Sequence, residues 1–324
     1  MSDDFVRQLP NWQPGLRGRT GDFNWFNLDP LLLLIIASIV SFGLVILYSA
    51  ADGQIEVLRA QLLRFALGFG LMVVLAQIPP YFYLRLAPWL YLVGLVLLIL
   101  TYPFGTEVNG SKRWLRVPGL INFQPSELMK IFLPLVLAWY FNDRHLPPKP
   151  KYIFISGVLC LLPAALIYGQ PDLGTALIIA ASGLILLVLA GLPWRYFVWS
   201  GLSLVAAAPV LWFLIRDYQR QRILTLLDPE RDPLGAGWNI IQSKIAIGSG
   251  GFSGKGLFNG TQAHLDFLPE SQTDFIIAVL AEELGFIGVS SLLLGYGLLI
   301  LRGLLISLNA QDTFGRLLCG SITF

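Results

Sequence analysis

The chain of 324 residues is 55% hydrophobic and 13% charged, with a net charge of +2 and a mean hydropathy of +0.67. A soluble domain carries about 25% charged residues, so most side chains here face a solvent other than water, and the soluble two-domain layout that length alone suggests is excluded. So small a charge excess argues against a nucleic-acid partner, and Cys160 and Cys319 sit in apolar runs as small hydrophobes rather than as a disulfide or metal pair.

Residues 1–29 are polar, carry Arg7, Arg17 and Arg19, and lack the apolar core of a cleavable signal peptide. They read as a cytoplasmic tail ahead of an uncleaved anchor. A helix needs roughly 20 apolar residues to cross a bilayer. Runs of this kind fall near 31–50, 60–78, 84–102, 127–142, 152–169, 174–192, 195–215 and 275–301. A further run begins near 314 and stops at Phe324 inside an apolar pattern, which reads as an incomplete last span. Residues 30–324 thus form a single transmembrane domain of about eight to nine spans, an all-α polytopic membrane protein.

Arg85, Arg144, Lys149, Lys151, Arg195, Arg302 and Arg316 share the side of the tail, which the positive-inside rule makes cytoplasmic. The other side is also basic. Segment 103–126 holds Lys112, Arg113 and Arg116, and segment 216–273 holds Arg216, Arg220, Arg222, Arg231, Lys244 and Lys255. An anionic lipid head group held outside is one reason for that. Segment 216–273 is a large extracytoplasmic loop, too long for a passive connector. Within it, Arg220 to Leu227 and Trp238 to Ile247 have a near-helical pattern and are expected to lie flat in the interface. The stretch from Gly248 to Gly256 is glycine-rich but lacks the spacing of a Walker loop.

A charge inside a span is costly, which makes it a functional candidate. In Gln124-Pro125-Ser126-Glu127-Leu128-Met129-Lys130 the proline suits a helix start, Glu127 lies at the positive end of the dipole, and Lys130 shares its face. The pair is either an interfacial ion pair or the polar wall of a substrate cavity. Asp172, in Gly169-Gln170-Pro171-Asp172-Leu173-Gly174-Thr175, reads as a helix cap or a site residue. Asp274, entering the eighth span after Thr273, is a cap or a general base placed where a head group meets the membrane. Glu282 and Glu283, about 12 Å deeper by helical rise, need partners or water, and read either as a structural ion pair with an outer arginine or as catalytic acids. His264 reads as surface decoration.

These segments together resemble the SEDS family (shape, elongation, division and sporulation). The resemblance rests on Asp217-Tyr218-Gln219-Arg220-Gln221-Arg222, Leu227-Asp228-Pro229, Asp232-Pro233-Leu234-Gly235-Ala236-Gly237, Gln242 through Gly251, and Leu268-Pro269-Glu270 through Phe275. Phe123 through Glu127 and Gln170 through Thr175 also match. It runs from about Asp29 to the end. It implies a helical bundle of about ten spans in the bacterial inner membrane and peptidoglycan glycosyltransferase activity on lipid II for cell elongation and rod shape. It also implies an undecaprenyl-linked glycan product and a class B penicillin-binding protein as partner. The family's essential aspartate maps to Asp274, and its cavity residues to Glu127 and Lys130. By position Arg220, Arg222, Gln242 and Lys244 resemble its loop residues. The family's last spans, with a Ser-Tyr-Gly-Gly motif, have no counterpart in this chain.

The expected chemistry joins a sugar 4-hydroxyl to an anomeric carbon and expels a lipid diphosphate. It needs a base, Asp274, and cations at the leaving group, drawn from Arg220, Arg222, Lys130, Lys112 and Arg113. A divalent cation, Mg or Mn, fits that chemistry, but no ligand set for one is evident in the sequence. A lipid II flippase and a pure scaffold are the rival readings. The gathering of charge on the outer side argues against the first, and Asp274 and Glu127 have no task in the second.

Overall fold

A backbone in hydrocarbon must satisfy its N–H and C=O groups within its own segment, which is why each apolar run is a helix. The computed structural model describes residues 27–108, 111–116, 122–214, 217–232, 235, 237–264, 267 and 271–324. Eight helices stand where hydropathy predicts spans: α1 (Pro30–Ala50), α2 (Ile55–Ala76), α3 (Pro80–Phe104), α4 (Pro125–Asn142), α5 (Pro150–Gly169), α6 (Leu173–Leu189), α7 (Trp194–Leu214) and α11 (Ile276–Asn309). Among the described residues α1, α2, α3, α5 and α11 are long and apolar enough to cross a membrane, and α6 is a shorter apolar helix. The loop before α11 holds α8 (Asp217–Leu227), a 3₁₀ turn (Pro229–Arg231), α9 (Trp238–Gly250) and α10 (Thr261–His264), and α12 (Thr313–Thr323) follows α11. Residues 1–26 of the predicted tail lie outside the described residues.

The helical class has one local exception, an antiparallel sheet between α3 and α4. Strand β1 (Thr106–Val108) pairs with β2 (Ser111–Arg116), and β2 with β3 (Asn122–Phe123). The dipeptide Asn109-Gly110 between the first two is a strong short hairpin signal. The sheet and the segment 217–275 lie at one end of the bundle, called here the loop end.

The core forms around α4. Met129, Leu133, Leu137 and Phe141 are fully buried at helical spacing, and α4 packs on α3, α5, α6 and α12. By contrast α2 buries no residue and packs along α1. In α9 the buried residues Gln242, Ala246 and Gly250 recur every fourth position. Ala246 and Gly250 in that stripe lie against Ala278 and Ala281 of α11, so α9 is docked by packing and not by the interface alone.

At 34 residues α11 is about 51 Å long, well over a hydrocarbon core of about 30 Å. It is broken at Gly285, whose φ is 64°. The chain after α9 repairs the break. In an unbroken helix Phe286 and Ile287 would donate to the carbonyls of Glu282 and Glu283. Here Phe286 N donates to Gly251 O (3.0 Å) and Ile287 N to Phe252 O (3.2 Å), while Lys255 N donates to Glu282 O (3.0 Å) and Gly256 N to Glu283 O (2.9 Å). Four backbone groups freed by the break find four partners in the loop, as burial demands. The approach is so close that a Cβ at Gly254 or Gly285 would overlap backbone atoms, and both residues have positive φ.

The far end of α11 is tied to the start of α1. Asp29 caps α1 by accepting from Leu32 N (2.8 Å) and also accepts from Nε (3.1 Å) and an end nitrogen of Arg302. The Arg302 hydrogen bond, ahead of the opposing effect of burial, holds the Asp29 carboxyl below its usual range. A carboxyl depressed in the folded state adds stability above its unfolded value, and that stability is lost as pH falls through the lowered one. Asp29→Ala is therefore expected to lower the unfolding temperature in detergent at pH 7, and the gap to the parent should shrink as pH falls below about 4. Thermal melts of both proteins across that range check it.

Candidate functional site

The α5–α6 turn at the loop end collects the first polar cluster. Asp172 is 8% exposed and does two jobs at once. It caps α6 through Thr175 N (3.1 Å) and its hydroxyl (3.0 Å). It also pairs with Arg113 of β2 (3.2 Å) and accepts from Gln124 Nε2 (3.1 Å). The cap reading and the site reading of Asp172 are thus compatible. Gln170 beside it donates to the Leu98 carbonyl (3.0 Å) and the Thr101 hydroxyl of α3. These bonds fix the hairpin, and Arg113 with it, over the start of α4.

On α4, Lys130 donates to both oxygens of Glu127 (2.8 and 2.9 Å). This helix is otherwise the most deeply packed, yet the Glu127 side chain is 56% exposed and that of Lys130 33%. The bundle is open beside them, and the pair borders accessible space.

A second cluster lies under the glycine loop. Glu282 and Glu283 are both 0% exposed. Oε1 of Glu282 accepts from Lys255 Nζ (2.6 Å), Thr261 N (2.9 Å) and the Thr261 hydroxyl (2.9 Å), and Oε2 accepts from Gln262 N (3.2 Å). Oε1 of Glu283 accepts from the Ser49 hydroxyl of α1 (2.7 Å) and from Phe258 N (3.2 Å). The ion-pair partner of Glu282 is Lys255 and not an arginine, because the glycine-rich loop folds back onto α11 and brings that side chain to the break. The sequence names Lys255 only among the basic residues of the loop, and it does not single out Thr261 or Ser49. The signal for Lys255 was a lone lysine inside the glycine run.

Asp274 is exposed in the turn at 271–275. It does not cap α11, whose N-cap position is Phe275 and has no side-chain cap bond. Its neighbours Gln272 and Thr273, with Ile276, line one end of a groove of about 610 Å³ between α1 and α2. The groove also holds Arg64, an arginine inside the predicted second span that the sequence reading passed over.

The remaining predicted residues are spread over the loop end. Arg220, on α8, is half-buried, donates to the Trp212 carbonyl (2.8 Å) and lies 5.4 Å from the Trp212 ring centroid. Arg222 lies on the same helix, and its side chain is outside the described residues, as is that of His264 on α10. Gln242 is buried towards α11, while Lys244 is exposed on another face of α9. Two residues apart on a helix, they point about 160° apart, so α9 does not bring them to one site. Among the described residues no three His, Cys, Asp or Glu side chains assemble as a metal-ligand set. The described donors thus form no dedicated cage for a Mg or Mn ion.

The chain is similar to known proteins over most of its length. Residues 29–324 match the FtsW/RodA/SpoVE family model, described as cell cycle protein. Peptidoglycan glycosyltransferase MrdB of Escherichia coli is 48% identical over 297 residues, covering 91% of this chain and 80% of that protein. A probable peptidoglycan glycosyltransferase FtsW of Trichlorobacter lovleyi is 39% identical over 311 residues, with 91% and 80% covered. Among solved structures, one reporting structural coordination of polymerization and crosslinking by a peptidoglycan synthase complex superposes with a TM-score of 0.78 at 35% identity, over 92% of this chain and 84% of that one. The crystal structure of the rod shape determining protein RodA of Thermus thermophilus gives 0.66 at 30% identity, over 93% and 82%.

Removing Lys255 strands a buried carboxylate. Lys255→Ala should cost on the order of 3 kcal/mol. Lys255→Ala combined with Glu282→Gln should recover most of it, because the buried charge is then gone. A double-mutant cycle on thermal or denaturant unfolding in detergent reads the coupling.

Proposed function

The chain belongs to the FtsW/RodA/SpoVE family of cell cycle proteins, the SEDS family, and from that premise we propose how its loop end performs the chemistry. The protein is a peptidoglycan glycosyltransferase, as its relatives are. Its substrate is lipid II, and its product an undecaprenyl-linked glycan strand that serves cell elongation and rod shape. The protein sits in the bacterial inner membrane with the amino terminus in the cytoplasm and the loop end outside. Its tail and the basic short loops support that orientation.

One observation carries the site assignment. Asp274 is an exposed carboxylate in a turn whose flanking residues line a groove into the bundle. In the proposed step Asp274 takes the proton from the 4-hydroxyl of the acceptor sugar as that oxygen attacks the anomeric carbon of the donor strand. The new C–O bond forms on the face opposite the leaving group, the bond from C1 to the phosphate oxygen breaks, and the lipid diphosphate departs with inversion. Lys130, paired with Glu127 in open space, is placed to meet negative charge. Arg113, held over α4 by Asp172, covers the same region from the hairpin. Arg220, Arg222 and the exposed Lys244 are assigned to binding the rest of the substrate along the loop, and Gln242, buried towards α11, to holding α9 in place. A class B penicillin-binding protein is the proposed partner, supported by the likeness to a chain of a peptidoglycan synthase complex.

Loss of a general base costs about 10²–10⁴ in rate. Asp274→Asn is expected to keep its unfolding temperature and lose at least 10²-fold in glycan polymerisation, measured with purified protein, its partner and lipid II. Undiminished polymerisation by that variant overturns the assignment.

A further inference from the structure

Resting on the glycosyltransferase reading, we infer that the groove between α1 and α2 is the seat of a polyprenyl diphosphate, with Arg64 as the cation that receives its phosphates. Arg64 is the tenth of the 22 residues of α2, about 14 Å along the helix from Ile55. That depth is near the middle of the span, where a charge is retained only with a partner or a polar path. Among the described residues its guanidinium is bonded to Gln61 Oε1 (3.0 Å), a neutral acceptor, and meets no carboxylate. The side chain of a helical residue leans towards the helix N-terminus, which in α2 is the loop end. Arg64 and Gln61 therefore reach up the groove towards Thr273 and Asp274.

The walls suit a lipid. Leu44 and Leu47 of α1 and Phe65 of α2 line the groove, and its volume of about 610 Å³ falls in the range of small-molecule sites, room for the head group and the first part of a tail. Because α2 buries none of its residues, one side of the groove is open to the membrane, so a long tail enters sideways without passing through the core. Polar groups at one end and apolar walls below match a molecule with an anionic head on a hydrocarbon chain. The diphosphate, and no other head group, is the committed occupant, since its charge complements Arg64 and the groove leads to the proposed general base.

Gly43 supplies the test. It lines the groove, and a Cβ built on it meets no atom within 4 Å. A side chain added there fills the groove without displacing protein atoms. The measurement is binding of undecaprenyl diphosphate to the purified full chain in detergent by native mass spectrometry, with undecaprenol, inorganic diphosphate and phosphatidylglycerol as competitors. Gly43→Leu and Gly43→Trp are expected to weaken undecaprenyl diphosphate at least tenfold while leaving the unfolding temperature unchanged. Arg64→Gln should weaken it similarly and leave undecaprenol unaffected, and Arg64→Lys should restore part of the loss. In polymerisation assays Gly43→Leu should raise the KM for lipid II more than it lowers kcat. Unchanged binding in Arg64→Gln and in both Gly43 variants overturns the groove assignment, as does equal competition by phosphatidylglycerol. The proposed catalysis fails separately: Asp274→Asn keeps undecaprenyl diphosphate bound if the groove is right, whatever its rate of polymerisation.

Discussion

The exchange of backbone hydrogen bonds at Gly285 is the constraint on which the rest depends. A helix broken inside a membrane leaves donors and acceptors that hydrocarbon cannot satisfy. The segment Gly251 to Gly256 meets them with its own main chain, which requires that no side chain stand between the two backbones. The glycine run is thereby explained as a backbone splint. Its position also decides where the following residues go. Once Lys255 and Gly256 are bonded to α11, residues 258–262 lie over Glu282 and Glu283.

The buried acids complete this junction. Glu282 binds the loop through Lys255, Thr261 and Gln262, and Glu283 joins the loop to α1 through Phe258 N and Ser49. Oε1 of each carboxylate replaces lost hydration with two or more donors, a condition under which a buried charge is tolerated. At the other end of the same helices Asp29 and Arg302 join α1 to α11 again. The wall formed by α1 and α11 is thus fastened at both ends, while α2 is left at the periphery. The groove lies between the fastened wall and the loosely held helix.

Much of this was legible in the sequence. Hydropathy placed the spans because the cost of unpaired backbone in lipid leaves so few alternatives, and the motifs around Gln124, Asp172 and Asp274 gave the family. Three features were not legible. The three short strands between Thr106 and Phe123 lack the length and alternation that mark a sheet, so Asn109-Gly110 alone hints at the first hairpin, and Asp172 reaches Arg113 across 59 positions. Lys255 finds Glu282 only because the loop folds back, which no local period encodes. Arg64 sat inside a span that was read for its hydrophobicity as a whole, so its charge was averaged away.

The three acids near the start of α11 also differ in what each is able to do. A general base must reach a proton on the substrate and must gain and lose charge without dismantling its surroundings. Protonating Glu282 would weaken the hold on Lys255, Thr261 and Gln262 together, and with it the splint across the break. Glu283 is equally enclosed, and its proton would have to cross the packed contact with α1. Asp274 lies outside that network, in an accessible turn that caps nothing, so a change in its charge leaves the fold intact. The same division follows from the placement of charge at Arg64. A cation in an open groove answers to a ligand that comes and goes, whereas the paired charges at the break answer only to the fold.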